Sequence, residues 1–193
     1  QTQTTPQVQQ TQPVQPVVIT PDNRPNKVLT IKTPLYQVKL DSKGALATSW
    51  ILVKNVNSYG DKPLWAEGSN KETKIPLELI AQDNPKREFP FRLSTGDQNL
   101  DGTLNERNYT ISGEGEITLN GSESKQIDFS LKEGDVEITK SFIFRADSSL
   151  TDLQIKATRG GQPIPNTKLL IGMAIGDQGI QVHNYYQVEP EAV

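Results

Sequence analysis

The chain has no cysteine, a single histidine and a single methionine, and these shortages remove most site chemistry at the outset. Without cysteine there can be no disulfide, no thiolate zinc site and no thiol nucleophile, although that absence does not separate cytoplasm from periplasm. With His183 as the one imidazole, neither a multi-histidine metal centre nor a Ser-His-Asp triad can be assembled except around that residue. Long apolar runs are also missing. The strongest, Leu169 to Ile175, is far shorter than the ~18–20 residues an apolar helix needs to cross a bilayer. Charge of one sign is missing too: 20 Lys and Arg stand against 23 Asp and Glu for a net charge of −3. They are spread along the chain instead of forming a basic stripe, which excludes nucleic acid as a partner. The sequence opens at Gln1 with no basic or apolar leader, so it is expected to be a processed protein or an excised segment.

What is present is turn chemistry and alternation. With 14 Gly and 13 Pro in 193 residues, turns are frequent and long helices are not expected. Residues 1–26 are Gln, Thr and Pro with a few Val and only two charges, Asp22 and Arg24. Five prolines there remove backbone donors and favour extended stretches, so this segment reads as a disordered, semi-stiff linker. Residues 27–193 read as one large β domain.

Period-2 patterning sets in at Leu29 and Ile31 and continues through Tyr36, Val38 and Leu40. After a Lys43-Gly44 turn, Leu46, Thr48, Trp50 and Leu52 are expected on one face, completing a β-meander. From Asn55 to Gln98 four prolines weaken the signal, leaving a short strand near Ile75–Ile80 and another at Phe89–Leu93. Tyr109–Ser112 and Glu116–Asn120 look like a hairpin. The clearest element alternates Ile127, Phe129 and Leu131, turns at Lys132-Glu133-Gly134-Asp135, and returns through Val136, Ile138, Phe142 and Phe144. Leu153, Ile155 and Ala157 mark another strand, and Leu169–Ala174 an apolar strand buried on both faces. About ten strands result, with no sustained helical period and no fixed repeat.

Candidate site residues are few. His183, within Gln181-Val182-His183-Asn184-Tyr185-Tyr186, reads as a rim histidine without an evident partner. Asp97, Asn99 and Asp101, with Gly102, resemble the start of a calcium loop, and Glu106 lies close by. The twelfth position is Asn108 where a bidentate Glu belongs, so the stretch reads as an Asx-rich loop. Gly113-Glu114-Gly115 and Arg159-Gly160-Gly161 lack the endings of phosphate-cradling loops and read as turns. Carboxylate pairs are too many to single one out. Trp50 lies on an expected core face, whereas Trp65, after Pro63-Leu64, is the better candidate for an exposed aromatic contact. No residue is assigned a catalytic, cofactor-binding or metal-ligating role.

The order of elements resembles the YidC-type membrane protein insertases, specifically their large periplasmic domain. Val28–Thr33, Tyr36–Leu40 and Lys43-Gly44-Ala45-Leu46 look like that domain's opening strand pair and Gly-Gly turn, with Lys43 at the first Gly. Ile127–Leu131 through Gly134 to Ile138-Thr139-Lys140-Ser141-Phe142-Ile143-Phe144 is similar to its hairpin, and Gly176–Gly179 and Glu189–Val193 are also similar. The polar linker fits as well. The resemblance implies an all-β, large twisted sandwich of the supersandwich, galactose-mutarotase-like type. It also implies that the domain is truncated at its C-terminus, since family members continue with more strands and a helix. By the same resemblance the parent protein sits in the bacterial inner membrane, with this domain on the periplasmic side. Its partners would be Sec translocon accessory subunits and nascent membrane proteins, and its role auxiliary and non-enzymatic. A carbohydrate-binding or mutarotase-like sandwich is the competing reading.

Overall fold

In the computed structural model the described residues are 22–57, 60–66, 68–80, 82 and 88–171. His183 and residues 1–21 of the linker lie outside them. Strands β1 (Val28–Lys32), β2 (Tyr36–Asp41) and β3 (Leu46–Leu52) form the expected antiparallel meander. Thr33 sets the first turn, its Oγ1 accepting from the Leu35 and Tyr36 amides, a side-chain mimic of a backbone turn. Next come a ribbon of β4 (Lys54–Asn57) with β5 (Gly60–Pro63), then β6 (Leu77–Glu78) and β7 (Arg92–Ser94). A helix α1 (Gln98–Glu106) precedes β8 (Thr110–Ile111) and β9 (Glu116–Thr118). The long hairpin β10 (Ser124–Glu133) and β11 (Val136–Arg145) follows, then β12 (Asp152–Arg159), β13 (Gln162–Pro163) and β14 (Lys168–Leu170).

Two five-stranded sheets carry most of these strands, in the orders β6-β3-β2-β1-β9 and β13-β12-β11-β10-β8. Leu29, Ile31, Tyr36, Val38 and Leu40 of the first join Ile127, Phe129, Ile138, Phe142 and Phe144 of the second in one buried cluster. The fold is therefore mostly β, with several sheets and a shared core, as a sandwich requires. Aromatic rings bind the layers together: Tyr36 and Trp50 of the first sheet each lie 6.5 Å, centroid to centroid, from Phe144 of the second, and Phe91 meets Phe142 edge-on at 5.2 Å.

Four expectations need correction. The Asx-rich loop is in fact a helix, α1, held by a cap described below. Leu46, Thr48, Trp50 and Leu52 do not share one face, because the register with β2 shifts between Lys39 and Leu40. Ala47 is opposite Leu40 and Trp50 opposite Val38, so the inward positions on β3 are three residues apart across the bulge. Tyr109–Ser112 and Glu116–Asn120 do not form a hairpin: β8 pairs with β10 in one sheet, whereas β9 runs parallel to β1 in the other. The chain crosses between the sheets at Gly113, where a Cβ would lie 3.3 Å from both Ile117 and Ile127. Finally, Leu169–Ala174 is not a doubly buried strand within the described residues. Only Lys168–Leu170 pair, with β7, and Ile171 is 51% exposed.

The Gly44 turn is the tightest packing point. Gly44 has φ +70°, and a Cβ there would sit 2.5 Å from the Asn105 carbonyl oxygen. Gly44→Ala is therefore expected to cost about 3 kcal/mol, from left-handed strain and from a clash with a backbone atom that has no rotamer to escape into. Gly134→Ala, at φ +59° but with nothing within 4 Å, should lose only the strain, about 1 kcal/mol. Urea titration of the two variants distinguishes these costs.

Candidate functional site

Alternation on β11 runs Val136, Ile138, Lys140, Phe142, Phe144, and all five side chains are buried. Lys140 thus stands in the aromatic core with no exposed surface, opposite Phe129 on β10. Its Nζ donates to the carbonyls of Gly44 (2.7 Å) and Phe91 (2.6 Å), with Ala45 at 3.4 Å, and lies 5.5 Å from the centroid of the Tyr109 ring. All three acceptors are backbone oxygens, and the residues that supply them have positive φ: 70° at Gly44, 50° at Ala45 and 76° at Phe91. For Ala45 and Phe91 that conformation is strained, and the converging ammonium holds it in place. Burial pushes the ammonium down to about 7, while the carbonyl dipoles oppose that push. Nothing here opens to solvent, so Lys140 is a structural pin between the sheets and not a nucleophile. Sequence patterning had skipped Lys140 between Ile138 and Phe142, although its position in the period-2 register placed it inside.

The acidic cluster is occupied by local structure. Asp97 caps α1, its side chain accepting from the Asn99 and Leu100 amides, which explains why a helix forms in so polar a stretch. Asp101 accepts from the Thr95 amide and hydroxyl and from Ser94 Oγ. Glu106 pairs with Lys43 at 2.8 Å. Buried Asn105 bonds both the amide and the carbonyl of Leu93, tying α1 to β7. The oxygens that suggested calcium are therefore spread along a helix and engaged in bonds, and no group of three or more metal-ligating side chains occurs among the described residues.

The last linker residues contact the domain. Asp22 accepts from the Asn108 amide and from Arg24, Arg24 pairs with Glu133, and Asn108 donates to the Arg24 carbonyl. Desolvation pushes the Asp22 carboxyl up, but these donors outweigh it and hold it down at about 2. Residues 22–26 are thus clamped between the Asn108 segment and the tip of the β10–β11 hairpin.

Among the described residues, two surfaces are left open. The first is the outer edge of β12. Strand β13 pairs only with Thr158 and Arg159, and the Ile164 amide donates to the Ala157 carbonyl. By strand alternation the N–H and C=O groups of Ile155 and Leu153 point to that same side, where no described strand pairs with them. Beside this edge lies a groove of about 400 Å³ lined by Ile155, Ala157, Ile164 and Leu169, with Lys156 and Thr167 at its rim. Its floor is the partly buried flank of the core. The second surface surrounds Trp65, which is 45% exposed, as sequence reasoning expected, while Trp50 packs against the core cluster. Gly160 and Gly161, both at positive φ, form the turn between β12 and β13, which agrees with the turn reading of that motif. In comparisons with known proteins, no family model matches the chain and no curated protein matches it.

Proposed function

We propose that this chain is a protein-binding domain that takes an extended segment of another polypeptide along the open edge of β12. One observation carries this reading: main-chain groups at Leu153 and Ile155 that no described strand pairs border an apolar groove. An added strand would find hydrogen-bond partners at every second residue of β12, and its inward side chains would enter the groove. Alternate apolar side chains give selectivity, and no catalytic residue is needed.

The sequence resemblance supplies the biological setting. We infer a periplasmic auxiliary domain of a YidC-type insertase at the bacterial inner membrane, with a galactose-mutarotase-like supersandwich fold. It would assist insertion and folding through contacts with Sec accessory subunits or nascent membrane proteins. The opening stretches that resemble the family fall on β1, β2 and the Gly44 turn, and the later one on the β10–β11 hairpin; Gly176–Gly179 and Glu189–Val193 lie outside the described residues.

A photoreactive residue at Gln154, on β12, is expected to crosslink to a Sec accessory subunit or a nascent chain in reconstituted membranes. Ile155→Pro should abolish that crosslink, because it removes the edge-facing N–H while leaving the β11 side of the ladder intact. Circular dichroism verifies that the variant stays folded. No epimerisation or hydrolysis of sugars is expected. Turnover that disappears in His183→Ala, with no crosslink to any Sec component, would establish the carbohydrate reading instead.

A further inference from the structure

The slot along β12 is short, and the chain fixes both its ends. At one end β13 pairs with Thr158 and Arg159, and the Ile164 amide reaches the Ala157 carbonyl. Pro165, which has no N–H to offer, and Asn166, at φ +56°, then turn the chain off that line. At the other end β12 begins at Asp152. A guest strand therefore takes up the line that β13 leaves, opposite Asp152–Lys156. Every pairing in this sheet is antiparallel, and an antiparallel guest exchanges straight N–H···O=C pairs with Ile155 and Leu153, the more stable of the two geometries. Running in the direction of β13, it meets Lys156 first, then Ile155, Gln154 and Leu153.

The two faces of this slot ask for different side chains. On the inner face, a guest residue opposite Ile155 enters the groove beside Ile164, Thr167 and Leu169. Ile155, Ile164 and Leu169 are partly buried against the core, so covering them favours an aliphatic guest. On the outer face stand Asp152, Gln154 and Lys156, all exposed. Asp152 is engaged by Arg145 at 2.5 Å, and Gln154 carries no charge. Lys156 is opposite Thr139 of β11. Its diagonal neighbour Glu137 is held by Lys132 at 2.5 Å, and Lys156 acts on that carboxylate as a lesser, longer-range charge. Lys156 forms no ion pair with any described residue. The outer face thus presents one unmet positive charge, at the end where the guest enters. The guest residue opposite Lys156 would occupy a non-hydrogen-bonded pair, the closest cross-strand position.

We propose that the β12 edge selects an antiparallel segment that carries an acidic residue opposite Lys156 and an aliphatic residue opposite Ile155. From N- to C-terminus the preferred order is acidic, aliphatic, polar, aliphatic. The proposal rests on the strand-addition reading and adds to it the chemistry of the segment taken. It also sets direction: a segment of the reverse order that keeps its aliphatic residues inward brings its acid against Asp152, which Arg145 already satisfies.

Short capped peptides, titrated into the isotopically labelled full chain and followed by NMR, measure the preference through the Leu153 and Ile155 amide resonances. Both are expected to shift with a peptide whose centre reads glutamate, valine, threonine, valine. Lysine in place of the glutamate should weaken binding roughly fivefold, and the reversed order about threefold. In Lys156→Glu the ranking should invert, the lysine peptide becoming the tighter; the altered side chain is exposed, so circular dichroism should be unchanged. Aspartate in place of the valine opposite Ile155 should cost roughly tenfold or more, and N-methylation of that valine, which removes its donor, should abolish binding. Equal affinity for the glutamate and lysine peptides, in the parent and in Lys156→Glu alike, would overturn the charge selection and leave strand addition standing. No shift with any peptide, or undiminished binding of the N-methyl peptide, would overturn strand addition and this proposal with it. So would Leu153 and Ile155 amides already protected from exchange without peptide: protection that grows with chain concentration would place a second copy on the edge, and protection independent of it the chain's own residues.

Discussion

Replacing Lys140 with alanine is expected to destabilise the domain by about 3–5 kcal/mol, a large share of the 5–15 kcal/mol that typically separates folded from unfolded chains. Two losses combine. The aliphatic stem leaves a void opposite Phe129, in a layer where Phe142 and Phe144 already stack on each other, and a void that its neighbours cannot fill is costly. The carbonyls of Gly44, Ala45 and Phe91 lose their shared donor inside the core, and an unmet buried acceptor costs about 1–3 kcal/mol. Lys140→Met isolates the second loss, since methionine restores the stem but donates nothing. It also removes a desolvated charge, so its net cost should be smaller, about 1–3 kcal/mol. Lys156→Ala on the exposed face of β12 should stay within about 0.5 kcal/mol of the parent. Urea midpoints of the three variants decide the matter. A Lys140→Ala midpoint as close to the parent's as that of Lys156→Ala would show that the converging carbonyls do not need the ammonium.

Lys140 also shows how patterning both reveals and hides a structure. The two-residue register of β11 was legible from Val136, Ile138, Phe142 and Phe144, and the hairpin turn at Gly134-Asp135 was legible from its glycine. That register dictates that residue 140 faces inward, yet a lysine is discounted because isolated buried charge is normally excluded. What permits it is three carbonyls from chain segments far apart in sequence, which no local window can show. Helix α1 was missed for a related reason. Within Gln98–Glu106 only Leu100 and Leu104 are apolar and Gly102 sits between them, so the helical period spans a single turn. Asp97 marks the start only if it is read as a cap, and its oxygens read equally well as an Asx turn or a metal ligand. The bulge on β3 and the sheet-to-sheet crossing at Gly113 depend on pairing partners distant in sequence, and period alone does not encode them. Trp65 was legible as an exposed aromatic because Pro63 and Leu64 break the alternation just before it. The open edge of β12 was not, since an edge is defined by a neighbour that is missing.

Stability is expected to increase as pH rises from about 6 to 9.5, opposite to the usual decline away from neutrality. In the unfolded chain Lys140 keeps its proton to about pH 10.4, whereas burial lowers its folded value to about 7. Between those limits the unfolded state binds more protons than the folded one, so raising the pH favours folding. Integrated from pH 6 to 9.5, the gain is on the order of 3 kcal/mol, and the neutral amine still donates two hydrogen bonds to the carbonyls. Among the described residues, the other shifted groups leave this window clear. Asp22, held at about 2, is ionised throughout, and the hydrogen bonds that Lys43 and Lys132 donate to Glu106 and Glu137 push both lysines upward, beyond it. Tyr109 closes the window from above: burial pushes its hydroxyl up, so the unfolded tyrosine ionises first and stability declines again past about pH 10. Thermal midpoints measured at intervals from pH 6 to 10.5 should therefore trace a rise and then a fall, and Lys140→Met should abolish the rise while keeping the fall. A parent profile that is flat to pH 10 would mean that the three carbonyls hold the ammonium at its ordinary value despite its burial.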